Sequence, residues 1–83
     1  MKRVIVIGLG IFGFNIVKDL FESGFEVIAV DKNKDAVQKI RDYATKAIVA
    51  DGTDREIMDV IGIEEDDVVI VSFGEDLDRK SVV

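Results

Sequence analysis

Val4-Ile5-Val6-Ile7-Gly8-Leu9-Gly10-Ile11-Phe12-Gly13 is the stretch on which the reading of this chain turns. Its four β-branched apolar residues, 4–7, predict a short strand buried on both faces. The run then breaks into a G-x-G-x-x-G and resumes as an apolar pattern at helical spacing. In a dinucleotide-binding turn each glycine has its own task. Gly8 lets the chain leave the strand sharply, Gly10 lets backbone amides come close to a pyrophosphate, and Gly13 lets the new helix lie against the strand. The helix then directs its positive end at the phosphates.

Three glycines at this spacing also arise in ordinary loops, so the context carries the weight. A second strand is expected over 25–30, and Asp31 follows it, 18 residues after Gly13 and 21 after Gly10. That is close to the spacing of the acid that holds the adenine ribose hydroxyls. The alternative is a plain βαβ unit in which Asp31 only starts the next helix.

Eighty-three residues bound the chain to one small domain. Apolar residues make up 48% and charged residues 34%, the balance of a folded chain rather than a disordered one. No apolar run exceeds four residues, so neither a membrane span nor a secretory core segment is expected. Cysteine and histidine are absent, which removes thiol chemistry, thiolate metal sites and the commonest general base. Charge is uneven: residues 1–45 carry +1 and residues 46–83 carry −7. Such acidity argues against nucleic-acid binding, where neutralising phosphates supplies most of the affinity. The acidic half reads as solvated loops and helix starts, or as a face for a basic partner.

Along the chain, 11–22 reads as a helix with Gly13, Ile16, Val17 and Leu20 on its inner stripe. Phe12, Phe14 and Phe21 add apolar surface for the core or for a subunit contact. After Asp31 and Lys32, Asn33 is the expected N-cap of a second helix with Ala36, Val37 and Ile40 inside and Tyr43 at its end. A third strand over 47–50 leads into Asp51-Gly52. Thr53 and Glu56 have the spacing of a capping box, opening a helix that buries Ile57, Val60 and Ile61. An acidic turn over 64–67 precedes the all-apolar strand 68–71. Ser72, Phe73 and Gly74 then lead into a further helix expected over 77–83.

Strands alternating with helices, and strands without polar alternation, predict a Rossmann-type α/β fold: a parallel sheet covered on both faces, order 3-2-1-4. The glycine turn, Asp31, Asp51 and 72–74 all fall at strand C-terminal ends and converge on one edge. The usual later strands are missing, which would leave the fourth strand an apolar edge. The expectation is therefore that 1–83 is a single, truncated nucleotide-binding domain, or that a partner chain completes its sheet.

With these residues in view, the chain resembles the N-terminal lobe of the RCK/KTN family. The likeness rests on 4–13, on Val-Ile-Ala-Val-Asp-Lys-Asn at 27–33, on Ala-Asp-Gly-Thr-Asp at 50–54, and on Ile-Gly-Ile-Glu-Glu-Asp-Asp-Val-Val-Ile-Val at 61–71. The resemblance implies a regulatory domain, not an enzyme, peripheral to the inner face of the cell membrane in the cytoplasm. It implies a potassium channel or transporter membrane subunit as partner and a homo-oligomer, dimer or ring. It implies NAD or NADH as ligand, or alternatively ATP, ADP or AMP. The expected site comprises Gly8, Gly10, Ile11, Phe12, Gly13, Asp31, Lys32, Asp51, Gly52, Thr53, Ser72, Phe73 and Gly74, with Lys32 also read as solvent-exposed and Ser72 as a hydroxyl in a turn. Asp31 would take the ribose and Asp51 would sit near the adenine, where a carboxylate can accept from the adenine amine. An Asx turn supporting Gly52 is the other reading of Asp51, and Thr53 also reads as a helix cap. Many relatives carry arginine directly after the second glycine; Ile11 stands here instead, which argues against tight triphosphate binding.

The competing function is the cofactor half of an NAD-dependent oxidoreductase. Tyr43 precedes Lys46 by three positions, which is not the Tyr-x-x-x-Lys spacing of short-chain dehydrogenases, and no acid–base pair presents itself.

Overall fold

The computed structural model describes residues 2–51, 55–72 and 81–82. In it the first apolar run forms β1 (Arg3–Ile7), buried from Val4 to Ile7. α1 (Ile11–Glu22) follows, then β2 (Glu26–Asp31), α2 (Lys34–Ile40), a 3-10 turn (Arg41–Tyr43), β3 (Lys46–Val49), α3 (Arg55–Ile61), β4 (Val68–Val71) and β5 (Ser81–Val82). β1 lies between β2 and β4, and β3 lies outside β2, all parallel, giving the expected order 3-2-1-4. Pairing Ile7 with both Val30 and Val71 brings the ends of β1, β2 and β4 level, so the loops leaving them share one edge.

Alternate residues of β1 face opposite layers. Val4 and Val6 pack with Val17 of α1 and with Val37 and Ile40 of α2. Ile5 and Ile7 pack with Ile57 of α3, Ile28 and Val30. Because both faces are covered, β1 and β2 have no polar face to offer, which is why their sequences run apolar without alternation. Burying each such side chain contributes about 1.5–3 kcal/mol relative to exposure.

Local signals place the helices. The Asn33 side-chain oxygen accepts from the amides of Asp35 (2.9 Å) and Ala36 (3.3 Å), so it is the N-cap read from the sequence. The Thr45 hydroxyl oxygen accepts from the Val27 amide at 3.0 Å while the Thr45 amide donates to the Val27 carbonyl at 2.8 Å, which locks the entry to β3.

At the opposite edge of the sheet Arg3 pairs with Asp67. The Arg3 Nε donates to Asp67 Oδ1 at 3.1 Å, and its Nη2 donates to the Gly62 carbonyl at 2.7 Å. The guanidinium, followed by the Glu64 amide, holds the Asp67 carboxyl below the usual carboxylate range. A lowered folded-state value means that the stabilisation is complete above the unfolded aspartate range and is lost as pH falls through the folded value. Wild-type protein is therefore expected to exceed Asp67→Asn in stability at pH 7, with the gap closing progressively under acid. Urea midpoints of both chains from pH 7 to pH 2 test this, and a gap constant across that range would contradict it.

Three expectations need correction. Residues 81–82, read as helix, form β5, which pairs antiparallel with β4 through Ile70–Val82 and Val71–Ser81. β-branched Val82 suits a strand, and the unpaired side of an all-apolar β4 supplies the backbone partners. The rest of that expected helix, residues 77–80 and 83, lies outside the described residues. Val60, read as buried, is 74% exposed. Ile57 and Ile61, one turn apart, meet the sheet with Ile63, and on so short a helix that stripe leaves Val60 on its flank. Tyr43 belongs to the 3-10 turn rather than to α2, and its ring meets Phe14 edge-on at 6.2 Å with the Lys18 ammonium above it.

Candidate functional site

The glycine turn begins one residue past the β1 ladder. The Gly8 amide donates to the Val30 carbonyl at 2.8 Å, and the Ser72 amide donates to the Ile7 carbonyl at 2.7 Å. Three strand ends are thus stitched together where the chain leaves the sheet. Gly8 has φ +95°, a conformation that L side chains rarely adopt. Gly13 is packed so tightly that a Cβ there would lie 2.1 Å from the Gly8 carbonyl oxygen. The same Cβ would be 3.7 Å from Ser72 Cβ, so Ser72, buried at the end of β4, lines the crossing of α1 over β1.

α1 starts without a side-chain cap, since its N-cap is Gly10, and no acid stands in its first turn. The first rung of its ladder is the Phe14 amide donating to the Gly10 carbonyl at 2.8 Å, so the Ile11 and Gly13 amides lie ahead of that ladder. Phe12 is half-buried, and Ile11 is 85% exposed on the rim. α2 differs: Asn33 caps it and Asp35 sits in its first turn. One helix brings its own negative end-group; the other opens on a glycine with no acid in its first turn.

Asp31, the last residue of β2, lies beside the turn that opens α1. Its Oδ2 accepts from the Leu9 amide at 2.6 Å and its Oδ1 from the Asn33 amide at 2.8 Å. Its carbonyl accepts from the Ala50 amide at 3.0 Å, which brings the end of β3 and the neighbouring Asp51 to the same edge. Lys32 and Asp51 are exposed there. Gly8, Gly10, Ile11, Phe12, Gly13, Asp31 and Ser72 are therefore assembled around one edge, with Lys32 and Asp51 on its rim. Gly52, Thr53, Phe73 and Gly74 lie outside the described residues. Between the starts of α1 and α2 an open cleft is lined by Leu9, Gly10, Ile11, Asn33 and Lys39. Among the described residues no three acidic side chains are grouped as a metal site.

The amide of Leu9, held by Asp31, is a site feature that sequence reasoning missed. Only the parallel pairing of β1 with β2 makes it legible, because that pairing sets the residue after Gly8 beside the end of β2.

A glycine turn closed over β1, a helix opening directly from it and an acid at the end of β2 are the parts that a dinucleotide-binding fingerprint combines. The TrkA-N domain model matches residues 4–83. The chain belongs to the TrkA-N family. Ktr system potassium uptake protein C of Bacillus subtilis (strain 168) is 41% identical over 76 residues, which is 92% of this chain and 34% of that protein. Ktr system potassium uptake protein A of the same organism is 38% identical over 81 residues, covering 98% of this chain and 36% of that protein. Ktr system potassium uptake protein A of Vibrio alginolyticus is 38% identical over 76 residues, covering 92% and 34%. This TrkA-N domain thus spans about a third of the length of these relatives. No helix among its described residues is long and apolar enough to cross a membrane.

Proposed function

We propose that this TrkA-N domain is the nucleotide-sensing unit of a regulatory subunit in a potassium uptake system. The relatives' names support the potassium system, and the observation that carries nucleotide binding is the glycine turn opening α1 with the Asp31 carboxylate bonded to its Leu9 amide. In this reading NAD, NADH or an adenine nucleotide lays its phosphates over the Gly10–Gly13 amides. Its ribose hydroxyls donate to Asp31. Asp51 serves the adenine and Ser72 the ribose or phosphates, with Gly52, Thr53, Phe73 and Gly74 proposed as further contacts from the sequence alone. Lys32 stays at the solvent rim. Residues 1–83 act as one binding unit.

A sensor works only if ligand states differ in affinity for two shapes of the assembly. The domain therefore acts within a homo-oligomer, docked in the cytoplasm on the membrane subunit whose gate it biases. No turnover is required, and the chain holds neither histidine nor cysteine for acid–base or nucleophilic work.

Calorimetric titration with NAD, NADH, NADP, ADP, ATP and AMP tests this reading. Saturable binding without chemical change is expected, with NADP at least about tenfold weaker than NAD because its 2′-phosphate meets the Asp31 carboxylate. Hydride transfer from NADH to a carbonyl compound, or binding of none of the six, would overturn it.

A further inference from the structure

We propose that Asp31 is a positioning residue whose carboxylate braces the glycine turn before any ligand arrives. The inference rests on the nucleotide reading above and adds a task to Asp31 that is separate from touching the sugar.

Leu9 stands between Gly8 and Gly10, residues with no Cβ to restrict their backbone angles. Its side chain is buried in the core under α1 and α2, and its amide donates to Asp31 Oδ2 at 2.6 Å. The residue is thereby pinned at both ends while its two neighbours have no side chain to hold them. A hydrogen bond to an ionised acceptor is short and about twice as strong as a neutral one, so a single bond suffices for the pinning. The same carboxylate takes the Asn33 amide on Oδ1, and Asn33 caps α2. Through its carbonyl Asp31 also takes the Ala50 amide. One residue therefore ties the glycine turn, the start of α2 and the exit of β3 to the end of β2.

The brace does not compete with a ligand. A carboxylate offers about four lone-pair sites, and the two side-chain bonds occupy one on each oxygen. The remaining pair accepts hydroxyl donors while the turn stays fixed. An unbraced glycine turn would have to be ordered at the moment of binding, and that cost would come out of the affinity. Asp31 consequently acts on the phosphate end of the site through Leu9, without touching the phosphates.

Amide hydrogen exchange on the ligand-free chain tests the brace directly. In Asp31→Ala the Leu9 and Asn33 amides are expected to exchange on the order of tenfold faster or more, while Gly8, bonded to Val30, keeps its rate. Asp31→Asn retains one acceptor oxygen and should protect one of the two amides and not both. A folded Asp31→Ala chain with Leu9 exchange at the wild-type rate would overturn the proposal. Should that variant not fold, the wild-type chain decides: a scalar coupling across the hydrogen bond, Leu9 15N to Asp31 13Cγ, is expected, and a rapidly exchanging Leu9 amide without it would overturn the brace. Affinity for 2′,3′-dideoxy-ADP, which has no ribose hydroxyls, should also fall about fivefold in Asp31→Ala, whereas an unchanged affinity would confine Asp31 to the sugar. The exchange measurement involves no nucleotide, so failure of all nucleotides to bind would defeat the proposed function and leave the brace to be judged on its own result.

Discussion

Replacing Gly13 with alanine is expected to lower the melting temperature by roughly 12–24 °C, a loss of about 3 kcal/mol in a domain of this size. The added methyl would sit 2.1 Å from the Gly8 carbonyl oxygen and 3.1 Å from its carbon. The obstacle is backbone, not a side chain that can swing aside. Relief requires α1 to lift away from β1 or the turn to shift, and both options break something already placed. Lifting the helix opens the contact of Val17 with Val4 and Val6. Shifting Gly8 breaks its bond to Val30 and disturbs a backbone held at φ +95°. Thermal melts followed by circular dichroism measure the effect, and a Gly13→Ala chain melting within about 2 °C of wild type would show that α1 is not seated on the turn as described.

The second large effect falls on ligand affinity. Asp31→Ala is expected to weaken NAD binding about 100-fold, since two hydrogen bonds from ribose hydroxyls to an ionised acceptor are lost, each worth about 1.5–3 kcal/mol before compensation by water. The loss should be smaller for NADP, because the same substitution removes a charge that opposes the 2′-phosphate. The ratio of the two affinities therefore moves towards one. Titration of both ligands into wild type and variant reads this directly. Equal losses for NAD and NADP would mean that Asp31 does not face the 2′ position. A folded variant with undiminished NAD affinity would remove Asp31 from the site.

The parts of the fold that were legible in the sequence are those written in short-range chemistry. The bounds of α1 and β4 follow from apolar periodicity and from the glycines that flank them, and Asn33 caps α2 as its position requires. Strand order followed from parallel pairing and crossover handedness, rules that need only the sequence of elements. What escaped the reading depends on groups far apart in the chain. Arg3 and Asp67 stand at the starts of neighbouring parallel strands, so their pairing emerges only once β1 lies beside β4. Val60 carries the same apolar signal as Ile57, but the side of α3 that meets the sheet is set by packing. Residues 81–82 were assigned by continuing a helical pattern, whereas the open side of β4 provides a stronger local partner.

The candidate site divides in the same way. The glycine spacing and the acid at the end of β2 are visible as motifs, because each residue type answers a local need of the turn. That Asp31 is already engaged by Leu9 and Asn33 is not visible, since it depends on the depth at which the turn closes over β2. The TrkA-N match spans residues 4–83, a range that includes the glycine turn, Asp31 and Ser72.

The most direct test of the central claim is a crystal structure of the chain with NAD bound. The account predicts the pyrophosphate against the amides that open α1, with the adenosine ribose hydroxyls on the Asp31 carboxylate and the Leu9 bond preserved. NAD seated away from the glycine turn, or bound there with Asp31 directed into solvent, would contradict it.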